Sequence, residues 1–263
     1  MHEWHDDQRT TPLMIKLRQS GILRNPPIIA PLHDGTNRYV VLDGANRTTA
    51  ISRMGIPHIV AQVVEPTSDS VDLRTWNHVL WDWDAQILLR AIDTIPGITM
   101  ASVEDKEEGL RMLWNRLALV WMQTPDEHTY LASCDVNLDL VRRLQLLNQI
   151  VDVYKELAQF DRTKIRKISA LQNAYPQLCA LIVFPHFGID EVAALTSGGH
   201  LFPAGITRFT VSPRALRINF PLKDLEENKS LEEKNLDLQN WTQDLIARKG
   251  VRFYAEATVL FDE

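Results

Sequence analysis

The run Val40-Val41-Leu42-Asp43-Gly44-Ala45-Asn46-Arg47-Thr48-Thr49-Ala50-Ile51 reads as a buried strand, a tight turn and the first turn of a helix. Such junctions bind anions, because unpaired backbone N–H groups and the positive end of the helix dipole converge there. Gly44 allows close backbone approach, Arg47 adds a guanidinium, Thr48 adds a hydroxyl, and Asp43 is available to hold Mg2+ or orient water. Spacing alone leaves a plainer role open, in which Asp43-Gly44 ends a strand, Asn46 caps a helix and Arg47 is a solvated charge.

A second cluster, His2-Glu3-Trp4-His5 followed by Asp6 and Arg9, puts a carboxylate beside an aromatic ring and near an arginine. That setting suits a general base, whereas an exposed acidic terminus is the plainer reading. The two histidines miss the HExxH zinc spacing by one residue. Trp76-Asn77-His78 offers donors and an apolar wall, or a core Trp with polar neighbours. Ser197-Gly198-Gly199-His200 and Pro203-Ala204-Gly205-Ile206-Thr207-Arg208 are loops of small residues ending in groups that clamp carboxylates or phosphates, or they are simply turns. The chain has no GxxxxGK[ST] loop and no HRD or DFG at kinase spacing, so a nucleotide must be held in another way.

Positioning these groups requires two α+β units. In the first, over 1–65, the pattern predicts a helix at 11–21, strands at 28–30 and 38–42 around a turn at 33–37, a helix at 46–55 and a strand at 57–64. The polar stretch 65–70 reads as a link. Over 71–263, helices are predicted at 82–92, 106–116, 137–160 and 190–195, with paired strands at 117–122 and 129–133, a strand at 179–184 and extended segments at 208–211 and 216–220. The charge-rich 223–250 reads as a solvated helix or helix pair, and 252–261 as a closing strand.

With 263 residues, 45% of them hydrophobic, the chain can build two lobes. Its net charge is −6, and residues 1–65 carry seven Lys or Arg against six Asp or Glu, without a basic block. This disfavours a nucleic-acid or acidic-membrane surface and makes any anion site local. Cys134 and Cys179 lack CxxC spacing and read as reduced core residues. No apolar run approaches the ~18 residues that cross a bilayer, so a cytoplasmic, non-membrane protein is expected.

Taken together, HExxDxxR, GILxNPPI, VVLDGANRTTAI, LxTWNHVL and PAGITRFxxxPRALRIN resemble the free L-serine kinases of the ParB/sulfiredoxin-like superfamily. The resemblance implies an α+β fold with a small ParB/sulfiredoxin-like lobe at 1–65, a larger mixed α/β lobe at 71–263 and an active site in the cleft between them. It implies phosphoryl transfer from ATP or ADP, with Mg2+, to the hydroxyl of L-serine, giving O-phospho-L-serine. Glu3 takes the place of the general base, and Asp43 that of the catalytic aspartate and metal ligand. Gly44, Ala45, Asn46, Arg47 and Thr48 form the phosphate turn, and Trp76, Asn77, His78, Thr207 and Arg208 bind the amino acid. Ala45-Asn46 replaces two histidines of the archaeal turn, which leaves ATP and ADP both open. The alternative is a ParB-like nucleotide-binding regulator without small-molecule chemistry.

Overall fold

The computed structural model of the protein describes residues 1–5, 7–66 and 69–254, with Gln8 described by its backbone alone. Helix α1 (Asp7–Ser20) opens on an acidic residue that suits the positive helix start, a turn earlier than the sequence predicts, so that Pro12 lies inside it. Gly21, at φ +63°, ends it. Strands β1 (Ile22–Leu23), β2 (Ile28–Pro31) and β3 (Tyr39–Asp43) lead to α2 (Ala45–Arg53) and β4 (Gln62–Val63). β2 pairs antiparallel with β3 and parallel with β4, forming a three-stranded sheet. Most of the strand expected at 57–64 does not form, because Ile56 and Val60 pack into the cluster around Leu17, Ala50 and Ile51.

The larger part of the chain follows with β5 (Val71–Thr75), β6 (Asn77–Trp81), α3 (Ala85–Asp93), β7 (Thr99–Val103), α4 (Lys106–Trp114), β8 (Val120–Gln123) and β9 (Thr129–Ser133). Then come α5 (Leu140–Tyr154), β10 (Gln159–Thr163), β11 (Leu178–Val183), α6 (Ile189–Ser197) and β12 (Thr207–Val211). Six strands form an antiparallel sheet in the order β10-β6-β11-β8-β9-β7. Side chains alternate across it. Leu80, Met122, Ala132 and Ile182 face α3 and α5 in the main core, while Val79, Trp121, Leu131 and Leu181 face α4. Asp84, Asp105 and Asp139 cap α3, α4 and α5 by accepting backbone N–H bonds, which fixes where each helix starts. β12 pairs with β5 as a separate ribbon.

The hairpin read at 117–133, the strand at 179–184 and the helices near 82–92, 106–116 and 190–195 correspond to β8–β9, β11, α3, α4 and α6. The long helix does not reach 160. It ends at Tyr154, and the chain re-enters the sheet as β10, because Phe160 packs beside His78 and Tyr154 while Arg162 pairs in register with His78.

The last elements, β13 (Phe220–Pro221), α7 (Leu222–Glu226) and α8 (Leu231–Ala247), give the helix pair expected at 223–250. They return to the start of the chain. β13 pairs with β1, and Phe220, Leu222, Leu225, Leu238 and Trp241 share one core with Leu17, Leu23, Ala50 and Ile51. The segment 218–241, assigned from sequence to the second lobe, therefore packs with the first. The strand expected at 252–261 finds no regular structure at 252–254, and its remainder lies outside the described residues. Among the described residues no helix is long and apolar enough to cross a membrane, and both cysteines are free, Cys179 buried and Cys134 half-buried.

Phe220 is 3% exposed and meets the Trp241 ring edge-on. Phe220→Ala should cost about 3–5 kcal/mol in urea unfolding, since its cavity opens in the cluster where β13 pairs with β1. An isolated 1–65 fragment, lacking these residues, should give the poorly dispersed amide spectrum of an unfolded chain.

Candidate active site

Residues 2–4 lie alongside the loop before β12. Trp4 N–H donates to Phe202 O at 2.9 Å and Phe202 N–H donates to His2 O at 2.8 Å. This docking aims Glu3 at the loop: its Oε2 accepts from Gly205 N–H at 3.1 Å and from the Thr207 hydroxyl at 3.0 Å. The side chain is 17% exposed and lines a cleft of about 1020 Å³. A carboxylate with one oxygen held and the group open to a cleft is geometrically suited to accept a proton.

Across the same cleft lie Asp43, Gly44, Ala45, Asn46 and Arg47. Gly44 is the N-terminal residue of α2's cap, at φ +95°, and no side chain caps the helix. A Cβ at Gly44 would sit 2.9 Å from both Arg47 Nη2 and Pro27 Cβ, so only glycine fits the turn. Arg47 donates to Asn25 O at 3.1 Å and to Asp43 Oδ2 at 3.0 Å, and Arg214 also binds Asp43 Oδ2. Burial alone would raise the Asp43 carboxyl, but the charges of Arg214 and Arg47, with hydrogen bonds from Arg214 and Gly44, outweigh it and hold the group below its ordinary value. Thr48 stands apart: its hydroxyl donates to Gly44 O at 3.2 Å, and it does not line the cleft.

The cleft is cationic. Arg9, Lys16, Arg24, Arg47, Arg162 and Arg214 line it, against the two acids Glu3 and Asp43. Burial and the charge of Arg9 lower the Arg162 guanidinium from its ordinary value, opposed by Glu3, Asp161 and Asp43. Among the described residues no three His, Cys, Asp or Glu side chains converge as a metal site. One carboxylate beside a cationic turn fits a Mg2+ that arrives with a polyphosphate, and does not fit a cage that holds the ion alone.

The five residues assigned to amino-acid binding separate. None lines the large cleft. Thr207 reaches it only through Glu3. His78 is fully buried, with Nε2–H donating to Gly205 O at 3.1 Å and Nδ1 accepting from the Tyr154 hydroxyl at 2.7 Å. Burial pushes its imidazole down to about 4, so it is neutral and holds the Gly205 peptide in place. Asn77 lies on the opposite face of β6 and donates to Ile165 O at 2.9 Å. Arg208 turns to that side too, with its guanidinium over the Trp76 ring at 4.7 Å. Together with Arg74, Lys164, Arg166 and His186, Asn77 and Arg208 line a separate pocket of about 160 Å³.

Arg162 and Arg214, which line the cleft, and His2, linked to Glu3 through Thr207, are not assigned to the site by the sequence reading. Arg214 and His2 stood within motifs already quoted. Arg162 carries no signal in the sequence, because it lies just past the helix expected at 137–160, in a stretch with no pattern of its own.

No family model matches the chain. The chain is 24% identical over its whole length to the ATP-dependent L-serine kinase SbnI of Staphylococcus aureus, spanning 93% of that protein. It is 32% identical over 75 residues, 28% of the chain and 29% of the relative, to an ATP-dependent L-serine kinase of Staphylothermus marinus. A ParB-like protein of Sulfolobus acidocaldarius matches 83 residues at 31% identity, 30% of this chain and 42% of that one. Among solved structures, C-terminally truncated SbnI from Staphylococcus aureus superposes with TM-score 0.67 at 22% identity, covering 94% of this chain and 92% of that one. A free serine kinase in complex with AMP superposes with TM-score 0.70 at 15% identity, covering 85% of this chain and 88% of that one. The resemblance read from the motifs and the mixed α+β fold are both borne out by these similarities.

The buried, neutral His78 makes stability depend on pH. Between its folded value of about 4 and the ordinary 6.5, the unfolded chain binds a proton that the native protein does not. Stability is then full above pH ~6.5 and falls on acidification, by about 2–3 kcal/mol at pH ~4.5. Urea midpoints at the two pH values should show this drop in the wild type and a shallower one in His78→Gln. His186, also lowered, adds a smaller contribution of the same sign in both proteins.

Proposed function

We propose that this chain, whose relatives are free L-serine kinases, transfers a phosphoryl group from ATP or ADP to the hydroxyl of free L-serine, releasing O-phospho-L-serine. The observation that carries the reading is the cleft itself, with a proton-accepting carboxylate at Glu3 opposite a helix N-terminus and a rim of six cations in a chain of net charge −6. Full-length similarity to an ATP-dependent L-serine kinase and a fold shared with nucleotide-bound free serine kinases support it. Forms of a free serine kinase in which a glutamate is replaced by alanine or glutamine, bound to AMP, support a glutamate as the catalytic group.

In this reading the cleft between the 1–65 unit and the larger α/β unit is the active site. The N–H groups at Ala45, Asn46 and Arg47 receive the phosphates, with Arg47 and Arg214 fixed beside them by Asp43. Glu3 takes the serine hydroxyl proton as the oxygen attacks the terminal phosphorus and the bond to the leaving nucleotide breaks. Arg162, beside Glu3 and Gly205, is placed to bind the serine carboxylate or a transferring phosphoryl oxygen. Mg2+ bound with the nucleotide would be held by Asp43 and phosphate oxygens, and supplies charge neutralisation of the polyphosphate. Most of the rate enhancement then comes from position and fixed charge.

The regulator reading has one observation of its own. The pocket lined by Arg74, Lys164, Arg166 and Arg208 is a compact basic patch on the far side of β12 from Glu3. A sequence-selective, salt-dependent gel shift abolished in Arg166→Glu, without kinase turnover, would select that reading.

Phosphorus NMR of the protein with Mg2+, L-serine and either ATP or ADP should show O-phosphoserine. Silence with both donors overturns the kinase reading. Glu3→Gln should keep nucleotide affinity and lose turnover by roughly 10²–10⁴-fold.

A further inference from the structure

We propose that His2 is a positioning residue for Glu3, acting through the Thr207 hydroxyl, and that the three side chains hold one proton in common; this rests on the serine kinase reading above. The imidazole is only 1% exposed, although it lies near the start of the chain. Its Nδ1 is 2.5 Å from Val41 O. A carbonyl only accepts, so Nδ1 carries a proton in every state of the network. Its Nε2 is 2.5 Å from Thr207 Oγ1, and that oxygen is 3.0 Å from Glu3 Oε2. The Phe209 ring, edge-on at 5.3 Å, holds the imidazole plane.

The Thr207 hydroxyl has one proton and stands between a ring nitrogen and a carboxylate, so its direction fixes the charge state at both ends. When it donates to Glu3, the bond to His2 requires a proton on Nε2: the carboxylate is ionised and the imidazole charged. When it donates to His2 Nε2, the bond to Glu3 requires a proton on Oε2: both ends are neutral. The two states contain the same atoms and the same number of protons. They interconvert when the Nε2 proton moves to Oγ1 as the hydroxyl proton moves to Oε2. In the first state Glu3 is a free base facing the cleft, with a buried positive charge one hydroxyl away that keeps it so. His2 thus touches no substrate and acts on the base.

Other charges near this network are distinct from it. Asp43, on β3, bonds to Arg47 and Arg214. Arg208, on β12, turns to the opposite face over Trp76. Arg9 and Arg162, with Asp161, act on the Glu3 side of the cleft, and among the described residues none of them hydrogen-bonds to His2.

The test compares His2→Gln, Thr207→Val, Thr207→Ser and the His2→Gln/Thr207→Val double variant in steady-state O-phosphoserine formation. His2→Gln and Thr207→Val should each lower kcat roughly 10- to 100-fold, less than loss of the base itself, with nucleotide Kd and serine KM within about twofold. The acidic limb of the kcat/KM profile should move to higher pH in both, because His2→Gln removes the positive charge that favours the carboxylate and Thr207→Val removes a hydrogen bond the carboxylate accepts. Thr207→Ser should recover most of the loss, and the double variant should be no worse than the weaker single by more than about threefold. Losses that multiply in the double variant, a serine variant as impaired as the valine one, or an unmoved pH profile would overturn the proposal. Long-range ¹⁵N–¹H spectra of the wild type decide the network independently of turnover: the His2 ring must carry a proton on Nδ1, and a neutral ring protonated only on Nε2 refutes it. If the wild type makes no O-phosphoserine, the kinase reading fails, while the spectrum still reports on the hydrogen-bond chain.

Discussion

The Glu3 carboxylate is gripped by one peptide N–H and one hydroxyl from a loop two hundred residues away in sequence. That grip depends on a line of buried groups. The Tyr154 hydroxyl on α5 donates to His78, His78 donates to Gly205 O, and the N–H of the same residue donates to Glu3. A neutral hydrogen bond contributes only about 1 kcal/mol, and one to a carboxylate about twice that. Their value here lies in direction. Each group is buried among rings and cannot turn without leaving a polar atom unpaired, so the core of the large sheet dictates where one oxygen of Glu3 sits. Glycine suits position 205, where φ is +78° and a Cβ would meet the Arg162 side chain at 2.9 Å.

Electrostatics are arranged locally against the net charge. The surface as a whole is acidic, while the cleft collects six cations around two acids. Two of those cations, Arg47 and Arg214, are fixed on one oxygen of Asp43. A carboxylate used in this way orders two guanidiniums before any ligand arrives, so little reorganisation is left for the binding step. His78, by contrast, is kept uncharged by burial, which spares the core a cation beside Arg162.

Much of this was legible in the sequence where local chemistry decides. Asp43 to Arg47 reads as a strand, turn and helix start, and the structure has that geometry, with Gly44 as the one residue the turn tolerates. What local reading missed was decided by distant packing. β6 has no alternating polar side, since both faces of its sheet are covered, and so gives no strand signal beyond an apolar run. β10 continues the helical spacing of α5 and becomes a strand only because β6 offers an edge. Asn77 and His78, adjacent in sequence, were read as one binding element. In a strand they face opposite ways, which sends one to the Gly205 peptide and the other to a different pocket. Arg162 and the role of Thr207 toward Glu3 lie beyond any spacing rule, as they depend on chain segments that meet only in the fold.

The pairing of segments two hundred residues apart has a consequence during synthesis. Glu3 leaves the ribosome some two hundred residues before Gly205 and Thr207, whose N–H and hydroxyl orient it, and β1 likewise waits for β13. At translation rates of about 5–20 residues per second, the nascent chain carries its acid for ten seconds or more before the partners emerge. The large sheet, built from residues 77–183, has time to fold first and serve as the template on which the flanking segments then close. A product truncated before Gly205 therefore keeps the strands of the large sheet and lacks the groups that hold Glu3.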